Sequence, residues 1–274
     1  MKVDLHTHTT YSDGTLEPEE LVEAAHRLGI THLAVSDHDS TGSLEPSRVK
    51  AAELGMTIIP AIEINTREEM SAVHVLGYFI DDKDDAFQKI LDHHRSLRTL
   101  RAGMILEKLG KMGIKISISD FSHRKGGAAI GRPHIADKLR EKGIVFSRQE
   151  AFDKFLAKGK PAYVFYEGPT PKDAIEAILS AKGVPVVAHP GYYVSPEAIL
   201  ELAKLGLQGL EVYYPTHNAD QIGNFLDFAK KNDLLATGGS DYHGPGSGHE
   251  RLGEMDVPEK IVEQILERKR KLFG

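Results

Sequence analysis

Val3-Asp4-Leu5-His6-Thr7-His8 opens the chain as a short strand pattern that runs straight into two histidines. Strand side chains alternate sides, so His6 and His8 point the same way, roughly 6–7 Å apart along the strand, where two imidazoles can converge on one ion. Asp13 follows in the loop Tyr11-Ser12-Asp13-Gly14. Working outward, strand patterns at 3–6, 32–36, 57–64, 73–79, 185–189, 209–213 and 234–238 alternate with helical patterns at 18–28, 46–54, 171–182, 196–205 and 219–232. In the first helical stretch Leu21, Val22, Ala25 and Leu28 share a face, Pro18 sits in the first turn and Gly29 marks the stop. Such alternation predicts parallel βα units. The fold class is therefore α/β, and seven such strands suggest a TIM-like barrel related to the (β/α)8 type, incomplete or distorted.

The rhythm breaks between residues 92 and 163. Helical patterns at 92–112, 133–142 and 148–158 follow one another there, around a stretch Lys125-Gly126-Gly127. Residues 93–160 carry 16 Lys+Arg against 6 Asp+Glu, although the whole chain carries 34 against 40. The expected organisation is a barrel made of 1–91 and 164–274, with 92–163 inserted as a basic, mainly helical subdomain. A positive module of this kind concentrates anionic ligands.

The chain has 274 residues, 41% hydrophobic and 27% charged, which is ample for a core and excludes wholesale disorder. The net charge of −6 argues against a whole-molecule nucleic-acid binder. No apolar run approaches the roughly 20 residues of a membrane span. With no signal-peptide pattern ahead of the first strand, a cytoplasmic protein is expected. The absence of Cys removes disulfides, thiolate zinc sites and Cys nucleophiles. Neither a GxSxG elbow nor a GxxxxGK[ST] loop occurs.

Fourteen histidines remain to be placed. Several fall where strands end: His6 and His8, then Asp37-His38, His189 before Pro190-Gly191, and Asp241-Tyr242-His243. In barrels of this type the active site is built on that side. Glu63 and His74 interrupt otherwise apolar strands. A buried unpaired carboxylate is costly, so Glu63 calls for a cation. Imidazole and carboxylate donors together suit Zn, Mn or Fe ions. His26, His32, His93, His94, His123 and His249 read as structural or exposed.

Taken together these motifs resemble the PHP family (polymerase and histidinol phosphatase) over 1–90 and 164–274. The resemblance implies a distorted (β/α)7 barrel holding two or three divalent metal ions. Carried over by motif, His6, His8, Glu63 and Asp241 would bind one ion. Glu63, His74 and His189 would bind a second, with Glu63 bridging, and Asp13, His38 and His243 a third. Gly131-Arg132-Pro133-His134 and Tyr213-Tyr214-Pro215-Thr216-His217 are similar to runs in the bacterial branch that acts on 3′,5′-bisphosphonucleotides and on 5′ ends of short RNA.

The chemistry expected of such a site is attack of a metal-bridging hydroxide on phosphorus, with no protein nucleophile. Arg132 and His134 are candidate contacts for a substrate phosphate, since a guanidinium offers a bidentate donor fork; the alternative for Arg132, less favoured, is a surface residue at a helix start. His217 is a candidate general acid or phosphate contact, or a structural hydrogen bonder in its Tyr-Pro loop. The expected partner is a nucleotide or short oligonucleotide, with no stable protein partner and no membrane. Two other hydrolases compete: a phosphatase of a small metabolite such as histidinol phosphate, and an amidohydrolase-like C–N hydrolase. A non-catalytic scaffold barrel would have lost ligands from the set, and none is missing.

Overall fold

The computed structural model describes residues 2–67, 73–121, 128–191 and 194–274. His123 and the Lys125-Gly126-Gly127 stretch lie outside them.

Seven strands form one sheet whose spatial order is their chain order: β1 (Lys2–Asp4), β2 (Ile30–Val35), β3 (Thr57–Asn65), β4 (His74–Tyr78), β5 (Val184–Val187), β6 (Gly209–Tyr213) and β7 (Leu235–Gly238). The sheet curls nearly into a barrel. Its ends meet beyond β1 and β7, where Thr7 bridges Tyr242 and the His8 N–H donates to the Tyr242 carbonyl at 2.9 Å. Helices α1 (Pro18–Arg27), α2 (Leu44–Leu54), α6 (Pro171–Ser180), α7 (Pro196–Lys204) and α8 (Ala219–Lys231) match the helical patterns in the sequence to within about two residues at their ends.

One expectation fails. β4 is antiparallel to both β3 and β5, so the units are not all parallel βα pairs. Eight residues separate β3 from β4, and a parallel crossover needs about a dozen or more. The reversal has a consequence for chemistry. It puts His74, the first residue of β4, opposite Asn65 at the end of β3, on the side where the other histidines gather.

Two apolar clusters build the barrel. Leu21, Val22, Leu33, Ile62, Ile175 and Ile199 belong to the one between strands and outer helices. The other fills the interior with Val3, Leu5, Ala61, Leu76, Tyr78 and Val186, and is continued by Ile261 and Ile265 of α9 (Lys260–Phe273). The sequence reading did not include α9. It lies at the strand starts, since Arg268 donates to Gln208 ahead of β6 and to the Asp233 carbonyl ahead of β7.

A third cluster belongs to the insertion: Ile105, Leu109, Phe121, Ile135, Leu139 and Leu156 pack together apart from the barrel. It joins residues from α3 (Asp85–Lys111), α4 (Arg132–Glu141), the short α5 (Arg148–Ala151) and the π-helical turn Phe152–Leu156. The expected helix at 92–112 is the later part of α3. That helix starts earlier and places Phe87 and Leu91 in the barrel cluster and Ala102 to Leu109 in the insertion cluster. The segments therefore meet inside one continuous helix.

The seam between β1 and β7 allows no side chain at Gly239, where a Cβ would lie 2.4 Å from the His6 nitrogen and 2.5 Å from its Cβ. Gly239→Ala is expected to displace the His6 backbone and to cost about 1–3 kcal/mol, as overpacking does. Thermal denaturation checks this. A midpoint within a degree of wild type would contradict the tight seam.

Candidate metal centre

Every ligand-type side chain expected from the sequence arrives at one mouth of the barrel. Past the end of β1 the extended chain keeps its alternation, so His6 and His8 face inward together, with Nε2 atoms 3.1 Å apart. Glu63 Oε2 lies 3.2 Å from both, and Asp241 Oδ1 lies 3.2 Å from His6 and 3.3 Å from His8. Bonds of about 2.0–2.1 Å at tetrahedral or octahedral angles set donor atoms roughly 2.9–3.4 Å apart, so the four atoms have the spacing of a coordination shell. Glu63 also meets His38 Nδ1 at 3.1 Å through Oε2, and His74 Nδ1 at 2.8 Å and His189 Nε2 at 3.2 Å through Oε1. A further group joins His8, Asp13, His38 and His243, with Asp13 Oδ1 at 3.3 Å from His243 Nε2 and 3.7 Å from His38 Nε2.

Hydrogen bonding around the ligands fixes which atoms face inward. The His6 Nδ1–H donates to Glu211 at 3.0 Å, and the His243 Nδ1–H to the Asp241 carbonyl at 2.7 Å, leaving the two Nε2 lone pairs for the centre. Glu211 also accepts the His189 N–H at 2.8 Å. Asp37 takes Thr9 N–H at 2.8 Å, Thr9 Oγ1–H at 2.7 Å, Ser12 Oγ–H at 2.5 Å and the Ser43 hydroxyl, tying the first two loops together beneath His38. The Tyr214 hydroxyl donates to Asp241 Oδ2 at 2.9 Å. His189 and Asp241 hold φ values of 28° and 51°, left-handed conformations that non-glycine residues adopt at a cost and that gather at functional sites.

The electrostatics fit a cation. With Nδ1 turned to Glu211, His6 presents Nε2 to His8 Nε2, Glu63 Oε2 and Asp241 Oδ1, four atoms gathered where one cation would satisfy all of them. Burial works against ionising Glu63, yet His38, His6 and His74 hold its carboxyl well below the usual range. Asp241 and Asp13 are likewise held low against burial, chiefly by His6 and by His38 respectively. Asp13 Oδ1 and His38 Nδ1 are buried without a hydrogen-bond partner. The donor set therefore fits divalent ions of the Zn, Mn or Fe type.

The other expected site residues divide. Arg132 opens α4 with its guanidinium 5.5 Å from the Phe152 ring centre, and it lines a cavity of about 130 Å³ with His38, His74, Arg98, Arg101 and Tyr166. His134 does not line that cavity. Its Nδ1 accepts the Gly131 N–H at 2.8 Å and its Nε2–H donates to the Ser12 carbonyl at 2.9 Å, so it fastens the insertion to the first loop. His217 is hydrogen-bonded in its own loop. Its Nδ1–H donates to the Val212 carbonyl at 2.9 Å and its Nε2 accepts the Gly191 N–H at 3.1 Å, the structural bonding that was the alternative to a role as acid or phosphate contact. Burial lowers its pKa and keeps it neutral.

Three side chains were missed. Glu211 carries the same signal as Glu63, a carboxylate in an apolar strand. Arg98 lies at helical spacing from Arg95 and Arg101, and donates to the buried Asp39 at 3.0 Å. His249, read as structural or exposed, comes to 3.5 Å from Asp241 Oδ2 and beside the His243 ring, and nothing local in its Gly-rich loop signals that return.

The chain matches the PHP domain model over residues 4–164 and belongs to the PHP family. It is 32% identical to a 3′,5′-nucleoside bisphosphate phosphatase of Chromobacterium violaceum, over 93% of this chain and 92% of that one. It is also 32% identical to a 5′-3′ exoribonuclease of Haemophilus influenzae, over 95% of this chain and 97% of the relative. A solved structure from Bifidobacterium adolescentis, described as a metal-dependent phosphoesterase, superimposes with a TM-score of 0.90 at 32% identity, covering 97% of this chain and 96% of the other. The fold and the family define a hydrolase acting on phosphate esters; the C–N hydrolase and the small-metabolite phosphatase are not favoured. No helix among the described residues is long and apolar enough to cross a membrane.

Because Glu211 fixes the tautomer of His6, Glu211→Gln is expected to weaken divalent-ion binding by about 10- to 100-fold, the usual penalty for losing such support. Competition against a chromophoric chelator measures this; unchanged affinity with native circular dichroism would contradict the assignment.

Proposed function

We propose that the protein hydrolyses phosphate esters of nucleotides, either 3′,5′-bisphosphonucleotides or the 5′ ends of short oligoribonucleotides, with two or three divalent ions held at the barrel mouth. His6, His8, Glu63 and Asp241 would hold one. Glu63, His74 and His189 would hold a second with Glu63 shared, and Asp13, His38 and His243 a third, with His8 near enough to contribute. The ions, Mn, Zn or Fe, supply Lewis-acid activation of water and neutralise charge on the phosphate. Segment 92–163 acts as the cover that holds the substrate.

One observation carries the reading: a single cavity is lined both by ligand-type side chains, Asp13, His38 and His74, and by Arg98, Arg101 and Arg132. Three guanidiniums beside such a centre suit a dianion bearing further phosphate. Asp39 keeps Arg98 facing the cavity, and Glu211 and Tyr214 keep His6 and Asp241 in place. The names of the Chromobacterium violaceum and Haemophilus influenzae relatives support the nucleotide class.

Phosphate release from 3′-phosphoadenosine 5′-phosphate and mononucleotide release from a 5′-phosphorylated oligoribonucleotide, each with and without a chelator, test the proposal. At least one should proceed and stop on chelation. Arg132→Ala should raise KM about tenfold or more for substrates with a second phosphate, consistent with losing a charge-assisted hydrogen bond, and much less for an aryl phosphate. Equal effects on both substrate types would make Arg132 structural.

A further inference from the structure

The cavity beside the arginines is not the only approach to the centre. A groove of about 600 Å³ reaches it from the other side, between the start of α5 and the loop 244–250. Asp13, His38, Pro133 and Phe152 line both spaces, so the two form one path passing over the ligand cluster. They differ in size. The cavity of about 130 Å³ has room for roughly ten waters, the scale of one nucleoside, and the groove several times that. A mononucleotide with two phosphates needs no such extension.

The groove wall carries an unusual residue. Phe146 is 91% exposed, the barest large apolar side chain among the described residues. It is not on a loose tip. Its N–H donates to Glu150 Oε2 at 2.6 Å, and Ser147 Oγ accepts the Glu150 N–H at 3.1 Å, so the capped start of α5 holds it in place. Phe152, one helical turn and a half further on, stands where groove and cavity join. Arg140 and Arg148 line the same groove, and both pair with Asp137, at 3.4 and 2.5 Å. The acidic side chain on the outer groove is Glu250, which accepts the Gly246 N–H at 2.8 Å. Aromatic faces interleaved with guanidiniums are what single-stranded nucleic acid binds, because every base offers a face and every linkage a charge.

We propose that this groove is a subsite for the nucleotides downstream of the reacting phosphate in a single-stranded oligonucleotide, with Phe146 as the platform on which one base stacks. The inference rests on the oligonucleotide form of the phosphoesterase reading and locates the rest of that substrate: the cavity beside the arginines takes the terminal nucleotide and the groove the chain behind it.

The experiment measures kcat/KM of the metal-loaded enzyme on 5′-phosphorylated oligoadenylates of two to five nucleotides and on 3′-phosphoadenosine 5′-phosphate. For wild type, KM should fall with each added nucleotide until the groove is filled. In Phe146→Ala the ratio of oligonucleotide to mononucleotide kcat/KM should drop roughly tenfold, the scale of one lost base–aromatic stack, and Phe146→Trp should restore it. A ratio unchanged in Phe146→Ala, a tryptophan variant as poor as the alanine, or wild-type KM independent of length would overturn the groove assignment while leaving the phosphoesterase reading intact. Wild type inert on every nucleotide would overturn both.

Discussion

One buried carboxylate organises the molecule. Both oxygens of Glu63 are surrounded by nitrogens of five histidines from four segments, His6, His8, His38, His74 and His189, all within 2.8–3.2 Å. An ionised carboxylate deep in a barrel is tolerated only with compensating positive charge, which protonated imidazoles or bound cations supply. The spacing of the donor atoms fits bound cations. Much else in the structure keeps the ring of donors converging: the antiparallel β4 that delivers His74, the Gly239 seam that admits His6, and the Asp37 bonds that lock the first two loops.

The charge pattern divides along the same line. The barrel contributes carboxylates and imidazoles, and the inserted segment contributes the guanidiniums that face them across the cavity. The proposed site would hold an anionic ester between bound cations on one side and Arg98, Arg101 and Arg132 on the other. His134 and Arg95 hold the insertion against the barrel, through the Ser12 and Asp39 carbonyls.

The strands were legible because a period-two apolar pattern survives in short runs, and the ligand residues because they interrupt those runs with groups that burial would penalise. The direction of β4 could have been read from the short link before it, had link length been weighed against alternation. α9 escaped because its few core positions, Ile261, Val262 and Ile265, are embedded among lysines, glutamates and arginines. His134 and His217 show the limit of residue type as a guide. Each sits near the centre, but backbone groups occupy both ring nitrogens, and no sequence pattern tells a histidine that stitches loops from one that meets a substrate.

The central claim is that the cluster around Glu63 holds divalent ions. Elemental analysis of wild type and Glu63→Gln, each purified, metal-loaded and desalted side by side, tests it most directly. The account predicts two to three transition-metal ions per wild-type chain and loss of the ions sharing Glu63 in the variant, with the fold retained by circular dichroism. Equal metal content in the two proteins, or a metal-free wild type that hydrolyses phosphate esters in the presence of chelator, would contradict it.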